Sequence, residues 1–406
     1  MRILHLLSQR PSLTGSGITL DAIVRRAAEA GHDQRVVVGV PADDPRPEIG
    51  GLDTDRIHPL FFGAGSLDFA VPGMSDVMPY PSTRFSDLDE KGLSTYRRAW
   101  HAHLAPLIED FRPEIIQSHH VWLMSGLIKD VAPQIPVVTQ CHATGLRQME
   151  LCPALADPVC RGCARNEAFL VLHHDHAESL RDRLGIDAHR IHTVGAGYRE
   201  DLFHAQGRER GLEPALLYVG KYSAAKGVPW LLDVFERLAA KRPGLVLHVA
   251  GGGAGAEAAA IKTRMDRMAP AVVQHGQVAQ TELAEIARRA TVCVLPSFYE
   301  GLPLVLVEAL ACGCRLVATD LVGVRSELAP RFGDALATVG TPALENVDRP
   351  RSEDLPAFEK SLESSLEAAL DAPPIGDPRE TIPEALADFT WDAVYGRVER
   401  VWKSLA

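Results

Sequence analysis

The sequence is poor in the features that mark nucleic-acid binders and membrane proteins. Its 42 Lys and Arg residues are outnumbered by 53 Asp and Glu, which gives a formal net charge of −11 over 406 residues. This acidic balance argues against a nucleic-acid partner, although a local basic pocket is compatible with it. No apolar run is long enough to span a membrane. The segment Met1 to Ser8 lacks the apolar stretch and cleavage site of a signal peptide, so we expect a cytoplasmic protein. Peripheral membrane contact and oligomeric state stay open.

Cysteine is scarce and odd in number. The chain has seven cysteines, which fits a reducing compartment better than a disulfide framework. Cys152, Cys160 and Cys163 lie close along the chain, and Cys141 lies upstream of them. A Cys-x-x-Cys pair with one or two further cysteines could hold structural zinc or an iron–sulfur cluster. The alternative is a set of buried or free thiols, and the sequence leaves both interpretations open.

Short apolar runs alternate with helical patterns along most of the chain, whose length suits two domains. The predicted strands are residues 3–7, 34–40, 114–118, 137–141 and 168–172, then 215–219, 245–249, 272–274, 291–296 and 315–319. Strands that alternate with helices twice over predict two parallel-sheet α/β domains. We expect long loops over the Pro- and Gly-rich stretch 43–93, a linker over 204–213 and a closing amphipathic helix over 389–402.

Two glutamates eight positions apart, Glu300 and Glu308, lie in the segment that says most about function. Glu300 falls in a loop after a predicted strand, and Glu308 falls within the apolar helix that follows. Pro303 suits the first turn of that helix, and Gly313 suits its end. A helix N-terminus carries free N–H groups and a partial positive charge, so it can hold a phosphate. A nucleoside diphosphate could therefore bind with its diphosphate at the helix start and its ribose hydroxyls on Glu308.

The alternative is that both glutamates are solvated surface groups, because two acids at this spacing occur by chance in many chains. The neighbours of Glu308 along the helix are apolar, however, and run from Leu304 to Leu310. A carboxylate in such surroundings is costly unless it is paired or hydrogen-bonded. This favours the functional interpretation.

Small and basic residues at other strand ends favour the same ligand. The turn Thr14–Gly17 lies between the first strand and the first helix, where a backbone can approach a phosphate or sugar. Lys221 and Lys226 follow strand 215–219 and could neutralise a diphosphate leaving group. The glycines Gly251–Gly253 follow the next strand. Solvated lysines and plain flexible turns are the alternatives.

Histidines lie at strand ends of the first predicted domain. His119 and His120 follow one strand, and His142 follows the next. A lone histidine is more often a structural hydrogen-bonding group than a catalyst. The carboxyl ends of parallel strands are where such sheets bind ligands, which favours a functional His142.

Together these motifs resemble those of the family 4 retaining glycosyltransferases of the GT-B fold, over nearly the whole chain and most strongly from Leu216 to Leu328. The residues that carry the resemblance are Gly17, His119, His142, Gly220, Lys221, Lys226, Gly227, Glu300, Gly301, Pro303, Glu308 and Gly313. The fold so implied is α/β, with two Rossmann-like parallel-sheet domains that face a central cleft. An acceptor-binding domain would span 1–205, a nucleotide-sugar-binding domain 213–385, and a C-terminal helix over 386–406 would pack back on the first domain.

The resemblance also implies a metal-independent enzyme that needs no cofactor. It would move a hexosyl unit from a nucleotide-sugar, with a UDP-sugar expected, to an acceptor hydroxyl while retaining the anomeric configuration. The acceptor would be a small molecule, a glycan or a lipid-linked group. The implied catalytic residues are His142, Lys226 and Glu300. The implied donor-binding residues are Gly17, Gly220, Lys221, Lys226, Gly252, Glu300, Gly301, Leu302, Pro303 and Glu308.

The sequence departs from the family pattern at two positions besides the cysteine cluster. Lys221 stands where arginine is more common, and lysine lacks the bidentate fork of arginine. His142 is followed by Ala143 rather than by Gly or Asp. Two other functions therefore stay open, an epimerase or phosphorylase on the same fold, or a metal-binding or redox protein built on the cysteines.

Overall fold

The computed structural model describes residues 1–11, 14–75, 78, 80–209, 211 and 213–406. Its strands, in chain order, are β1 (Arg2–Leu7), β2 (Asp33–Pro41), β3 (Ile57–Phe62), β4 (Ile115–His119), β5 (Val137–Gln140), β6 (Ala168–Val171), β7 (Ile191–Thr193), β8 (Ala215–Lys221), β9 (Val246–Gly252), β10 (Val272–Gly276), β11 (Val292–Leu295), β12 (Arg315–Thr319) and β13 (Leu336–Val339). Its α-helices are α1 (Gly15–Glu29), α2 (Glu90–Phe111), α3 (Leu123–Val131), α4 (Ala143–Leu151), α5 (Pro153–Cys163), α6 (His174–Leu184), α7 (Val228–Lys241), α8 (Gly255–Arg267), α9 (Gln280–Arg289), α10 (Leu304–Ala311), α11 (Ala329–Phe332), α12 (Leu355–Asp371), α13 (Pro378–Thr381), α14 (Pro383–Ala387) and α15 (Trp391–Leu405).

The chain divides into two compact units. Unit 1 comprises residues 1–196 together with 391–406, and unit 2 comprises residues 197–390. The stretch predicted as a linker, 204–213, lies partly outside the described residues. Its described part belongs to unit 2, where the guanidinium of Arg208 donates to the carbonyl oxygens of Ala290 at 2.6 Å and Cys312 at 3.1 Å. These bonds tie the segment to the C-terminal ends of α9 and α10.

Unit 1 is built on one parallel sheet with strand order β3-β2-β1-β4-β5-β6-β7. Strands β4, β5 and β6 are buried along their whole length, as expected when both faces of a parallel sheet are covered. The closing helix α15 belongs to this unit and covers part of one face. Its Trp402 indole donates to the side-chain oxygen of Gln117 at 2.6 Å. Helix α15 therefore packs on unit 1, whereas residues 386–390 belong to unit 2.

Unit 2 is built on a second parallel sheet with strand order β10-β9-β8-β11-β12-β13. All of its strand pairs are parallel, so the carboxyl ends of β8, β9 and β11 share one edge. The prediction of two Rossmann-like parallel-sheet domains is confirmed. No helix among the described residues combines the length and apolar character that crossing a membrane requires.

The stretch 43–93 is more regular than the sequence predicted. Strand β3 runs from Ile57 to Phe62 within it and pairs with β2, and α2 begins at Glu90. Pro59 obscured the strand, because proline cannot donate to a sheet ladder. It is tolerated here because β3 lies at the edge of the sheet. The short edge strands β7 and β13 were likewise absent from the predicted strands.

Candidate functional site

The carboxyl ends of β8 and β9 form the floor of the candidate site in unit 2. Register pairs Gly220 with Gly251 and Lys221 with Gly252. Gly251 has a φ of 129°, and a Cβ atom there would lie 2.0 Å from the Gly220 carbonyl oxygen. A Cβ atom on Gly252 would instead lie 3.6 Å from its nearest neighbour, Gln277. Only glycine therefore fits at position 251, whereas Gly252 leaves open space at the strand end.

The short helical turn Ala224–Lys226 meets the loop that follows β11. The amide of Phe298 donates to the carbonyl oxygen of Ala225 at 2.9 Å. The chain can turn here because Gly227 has a φ of 71° and no side chain to strike the Pro296 carbonyl oxygen, which a Cβ atom would approach to 2.1 Å. Two segments whose contacting residues Ala225 and Phe298 are 73 positions apart are thereby brought side by side.

Lys226 and Glu300, both predicted site residues, form an ion pair at this meeting point. The Lys226 Nζ lies 2.7 Å from Glu300 Oε1 and donates to the Tyr299 carbonyl oxygen at 3.0 Å. The Ser297 hydroxyl donates to the same Glu300 oxygen at 2.7 Å. Both charged side chains stay about one-fifth exposed, 23% and 19%, so a ligand can reach them. The pair places a cation and an acceptor of hydrogen bonds at one point.

Helix α10 begins immediately after this loop. Gly301, Leu302 and Pro303 connect Glu300 to the helix, and Pro303 occupies the N-cap position, one residue before the first turn in which it was predicted. The helix ends as predicted near Gly313, whose amide donates to the Leu310 carbonyl oxygen at 2.7 Å. In the first turn of α10 the Leu306 amide donates to the Pro303 carbonyl oxygen at 3.0 Å, and the N–H groups of Leu304 and Val305 precede the first bond of the helical ladder. They supply partial positive charge next to Lys226.

Glu308 lies one turn into α10 and is partly buried among apolar neighbours. Among the described residues its carboxylate has neither a hydrogen-bond partner nor an ion-pair partner. Burial raises the pKa of Glu308 to about 7. An acceptor group that is desolvated and unsatisfied within the protein is suited to accept hydrogen bonds from a ligand.

The chemistry of the unit 2 residues suits a nucleoside diphosphate. Gly220, Lys221, Lys226, Gly252, Glu300, Gly301, Leu302, Pro303 and Glu308 all lie at the same strand edge or in the adjoining loop and helix. They offer ammonium groups, N–H groups at the start of a helix and two carboxylates. Ser297 and the carbonyl group of Tyr299 were not predicted, because serine and a backbone carbonyl carry no pattern that distinguishes them along the sequence.

His142 and Gly17 lie in unit 1 and are described there. His142 follows β5 and begins α4. Burial lowers the pKa of His142 to about 4, so its imidazole is neutral at pH 7 and cannot act there as a cation. Gly17 lies in the first turn of α1, where its amide donates to the hydroxyl of Thr14 at 3.1 Å. That amide therefore already has a partner within unit 1.

Five histidines of unit 1, called here the histidine group, share buried surroundings. In each of them burial is the main cause that lowers the pKa of the imidazole. The members are His5, His119, His120, His142 and His176. Strand ends bring several of them together, because β4 ends at His119 and β5 ends two residues before His142.

The cysteine cluster does not form a metal site among the described residues, where no group of three or more His, Cys, Asp or Glu side chains is arranged to hold an ion. The thiols instead point to separate partners. Cys152 donates to the Gln148 side-chain oxygen at 3.6 Å, and Cys163 donates to the Trp122 carbonyl oxygen at 3.6 Å. Burial raises the pKa values of Cys160, Cys163 and Cys141, which disfavours the thiolate that a metal needs. The described residues therefore offer no ligand set for the predicted zinc ion or iron–sulfur cluster.

Comparisons with known proteins agree with this geometry. Residues 14–197 match the family model of the glycosyl transferase 4-like domain, and residues 213–342 match that of glycosyl transferases group 1. The glycogen synthase of Mycobacterium tuberculosis is 30% identical over 345 residues, which cover 80% of this chain and 79% of that protein. The D-inositol 3-phosphate glycosyltransferase 2 of Catenulispora acidiphila is 29% identical over 311 residues, which cover 69% and 68%.

Solved structures share the fold. One is the Anabaena protein Alr3699/HepE in complex with UDP and glucose. It is similar to this chain with a TM-score of 0.66 and 14% identity, and the match covers 100% of both chains. At this identity the likeness is one of architecture.

Proposed function

The chain belongs to the family 4 glycosyltransferases of the GT-B fold, and on that premise we propose that it transfers a hexosyl unit from a UDP-sugar to an acceptor hydroxyl with retention of configuration. The observation that carries the proposal is the Lys226–Glu300 ion pair at the start of α10, with the unsatisfied Glu308 carboxylate in the same helix. A UDP-sugar presents complementary groups in the same order: sugar, diphosphate and ribose. UDP as the nucleotide is part of this proposal, and the donor screen described below tests it against GDP and ADP.

The proposed reaction exchanges one bond at the anomeric carbon for another. The bond from that carbon to the β-phosphate oxygen breaks, and a bond to the acceptor oxygen forms on the same face of the sugar. The acceptor proton is taken up by the departing UDP phosphate. Negative charge grows on the diphosphate as its bond breaks, and the Lys226 ammonium with the N–H groups of α10 would stabilise it.

The ion pair implies a rearrangement when the donor binds. In the structure the charge of Lys226 is directed at Glu300. For Lys226 to contact a diphosphate, Glu300 must accept hydrogen bonds from other groups, and the hydroxyls of the donor sugar are suited to supply them. We therefore assign Glu300 to the sugar, Lys226 and Lys221 to the diphosphate and Glu308 to the ribose. Contact of His142 and Gly17 with the donor stays a prediction.

The proposal specifies only that the acceptor carries a hydroxyl group. The relatives named above act on different acceptors by their names, a glucan in one case and an inositol phosphate in the other. Both a glycan and a small anionic acceptor are therefore tested below. A lipid-linked acceptor, peripheral membrane contact and a cytoplasmic location also stay predictions, which activity on lipid vesicles and cell fractionation address.

A donor screen tests the proposal. Purified enzyme is incubated with UDP-, GDP- and ADP-hexoses, with and without glucan, inositol phosphate or a lipid-linked acceptor, and nucleotide release is measured. Release of UDP and a product whose anomeric proton has the same configuration as the donor would support transfer with retention. Inorganic phosphate in place of the acceptor tests a phosphorylase, and epimerised donor in the absence of acceptor would indicate an epimerase.

Two variants and a matched control connect the activity to the site. Glu308→Ala should weaken UDP binding measured by calorimetry, and Lys226→Ala should weaken both binding and turnover. Glu285→Gln is the control, since Glu285 is exposed on α9 and makes no ion pair among the described residues. If the protein binds no nucleotide and is purified with about one zinc or iron atom per chain, the proposal is wrong.

A further inference from the structure

His119 and His142 are joined by a hydrogen bond that the donor-site assignments do not use. Nδ1 of His119 lies 3.0 Å from Nε2 of His142. The ring centroids are 5.3 Å apart with an interplanar angle of 16°. With the two nitrogens this close, the rings lie edge to edge in nearly one plane, so the shared proton lies along a straight hydrogen bond.

The remaining ring nitrogens of the two histidines differ in their surroundings. His119 is 1% exposed, and its Nε2 is buried without a hydrogen-bond partner among the described residues. His142 is 9% exposed, and its Nδ1, unlike Nε2 of His119, is not fully buried without a partner among the described residues. His142 therefore offers Nδ1 to a ligand, whereas His119 offers nothing to one.

Two neutral pairs of tautomers can make this bond, and they leave different atoms unpaired. If His142 donates through Nε2, then His119 accepts at Nδ1 and carries its own proton on Nε2, which is buried and unpaired. If His119 donates through Nδ1, its buried Nε2 is a bare acceptor, and His142 carries its proton on Nδ1. Among backbone groups a buried N–H without a partner is rarer than a buried acceptor without one, and the same preference applied to the imidazole favours the second arrangement.

We propose that His119 is a positioning residue that holds His142 in the tautomer with its proton on Nδ1, so that His142 donates a hydrogen bond to a hydroxyl oxygen of the bound substrate. Nearby contacts restrict the ring of His142 further. His120 packs against it with centroids 4.7 Å apart, and His120 is itself held by a hydrogen bond between Nδ1 and the Thr144 hydroxyl at 3.1 Å. Burial keeps both His119 and His142 neutral at pH 7, as the two tautomer pairs require. The identity of the substrate rests on the proposed function, whereas the tautomer does not.

Nitrogen-15 NMR of histidine-labelled protein at pH 7 measures the tautomer directly. We expect the His142 signals of a protonated Nδ1 and an unprotonated Nε2, assigned by their loss in His142→Gln. In His119→Asn the carboxamide N–H takes the place of Nδ1–H, so the same tautomer should persist. In His119→Phe no donor remains, and His142 should show a mixture of tautomers. The exposed His189→Asn is the control and should leave the His142 signals unchanged.

Turnover gives a second readout. His119→Phe should lower kcat for sugar transfer by roughly fivefold to tenfold, the size expected for one weakened hydrogen bond, and His119→Asn should recover most of it. The Kd for UDP should not change in either variant. A protonated Nε2 on His142 in the wild-type protein, or an unaltered tautomer in His119→Phe, would overturn the inference. The wild-type spectrum needs a variant, His142→Gln, only for its assignment. It also stands if no transferase activity is found, so failure of the inference and failure of the proposed function are distinguishable.

Discussion

Replacement of Glu308 by glutamine should stabilise unit 2 and weaken its ligand binding at the same time. Glutamine keeps the shape of the side chain and removes its charge. Burial raises the pKa of Glu308 from 4.5 to about 7. At about 1.4 kcal/mol for each pH unit, ionising this carboxyl in the folded protein costs about 3 kcal/mol more than in the unfolded chain.

The sign of the effect depends on pH. Between pH 4.5 and 7 the folded protein holds a proton on Glu308 that the unfolded chain has released. The free energy of unfolding should therefore fall as pH rises through this window and level off above pH 7. Glu308→Gln removes the penalty, so its advantage should be about 3 kcal/mol at pH 8 and should vanish near pH 4.5. For a unit of this size that corresponds to a rise in Tm of roughly 6–12 °C at pH 8.

Thermal unfolding at pH 5 and pH 8 measures the difference in stability between the wild type and Glu308→Gln. Hydrogen exchange, followed peptide by peptide, separates unit 2 from unit 1. Glu285→Gln serves as the exposed control and should show no pH-dependent gain. Calorimetry measures the accompanying loss of UDP affinity in Glu308→Gln. The ratio of wild-type to variant affinity should rise about tenfold between pH 6 and pH 8, as Glu308 goes from about one-tenth to about nine-tenths ionised. A variant no more stable than wild type at pH 8, or a flat affinity ratio, would refute the reasoning.

Three further predictions concern the ion pair, the strand-end glycines and the histidine group. Glu300→Gln removes the carboxylate that pairs with Lys226, so the affinity for UDP measured by calorimetry should stay level or rise up to about fivefold. The rate of turnover, measured as UDP released from the donor, should fall. A loss of both affinity and turnover would contradict the assignment of Glu300 to the sugar. Gly251→Ala should lower the Tm of unit 2 because its Cβ would strike a carbonyl oxygen, whereas Gly252→Ala should keep the Tm and weaken UDP binding; equal shifts in Tm would argue against this division. The histidine group, with pKa values lowered by burial, should make unit 1 stable above pH 6.5 and progressively less stable as pH falls toward 4. Tryptophan fluorescence follows this, since four of the five tryptophans belong to unit 1, and a denaturation midpoint unchanged from pH 7 to 4.5 would disprove it.

The parts of the fold that sequence predicted well are those whose signal is local. Central strands such as β6 and β11 are continuous apolar runs because both faces of the sheet are covered. The edge strands β7 and β13 are short and lack that signal, and β3 contains Pro59, so the sequence pattern did not indicate strands there. The prediction of loops over 43–93 was therefore wrong at β3 and at the start of α2, whereas most of the other described residues of this stretch form loops, as predicted.

The candidate site divides in the same way. Helix α10 could be read from its apolar run, from Pro303 before it and from Gly313 after it, and Glu308 stood out as a charge within that run. Nothing along the chain indicated that Lys226 and Glu300, 74 positions apart, form an ion pair, or that Ser297 supports it. The cysteine spacing suggested a shared ion, but the structure directs the thiols to separate partners.

The sequence by itself determined the alternation of strands and helices, the strand edges at which chemistry can occur and the residue types placed there. These follow from periodicity and from the rule that parallel strands present their carboxyl ends together. Only the tertiary structure decided which of those residues touch and which of them are desolvated. Pairing and burial depend on the register of segments far apart in the chain, and they set the state of each group: Lys226 held by Glu300, Glu308 half-protonated near pH 7, and His142 neutral against His119.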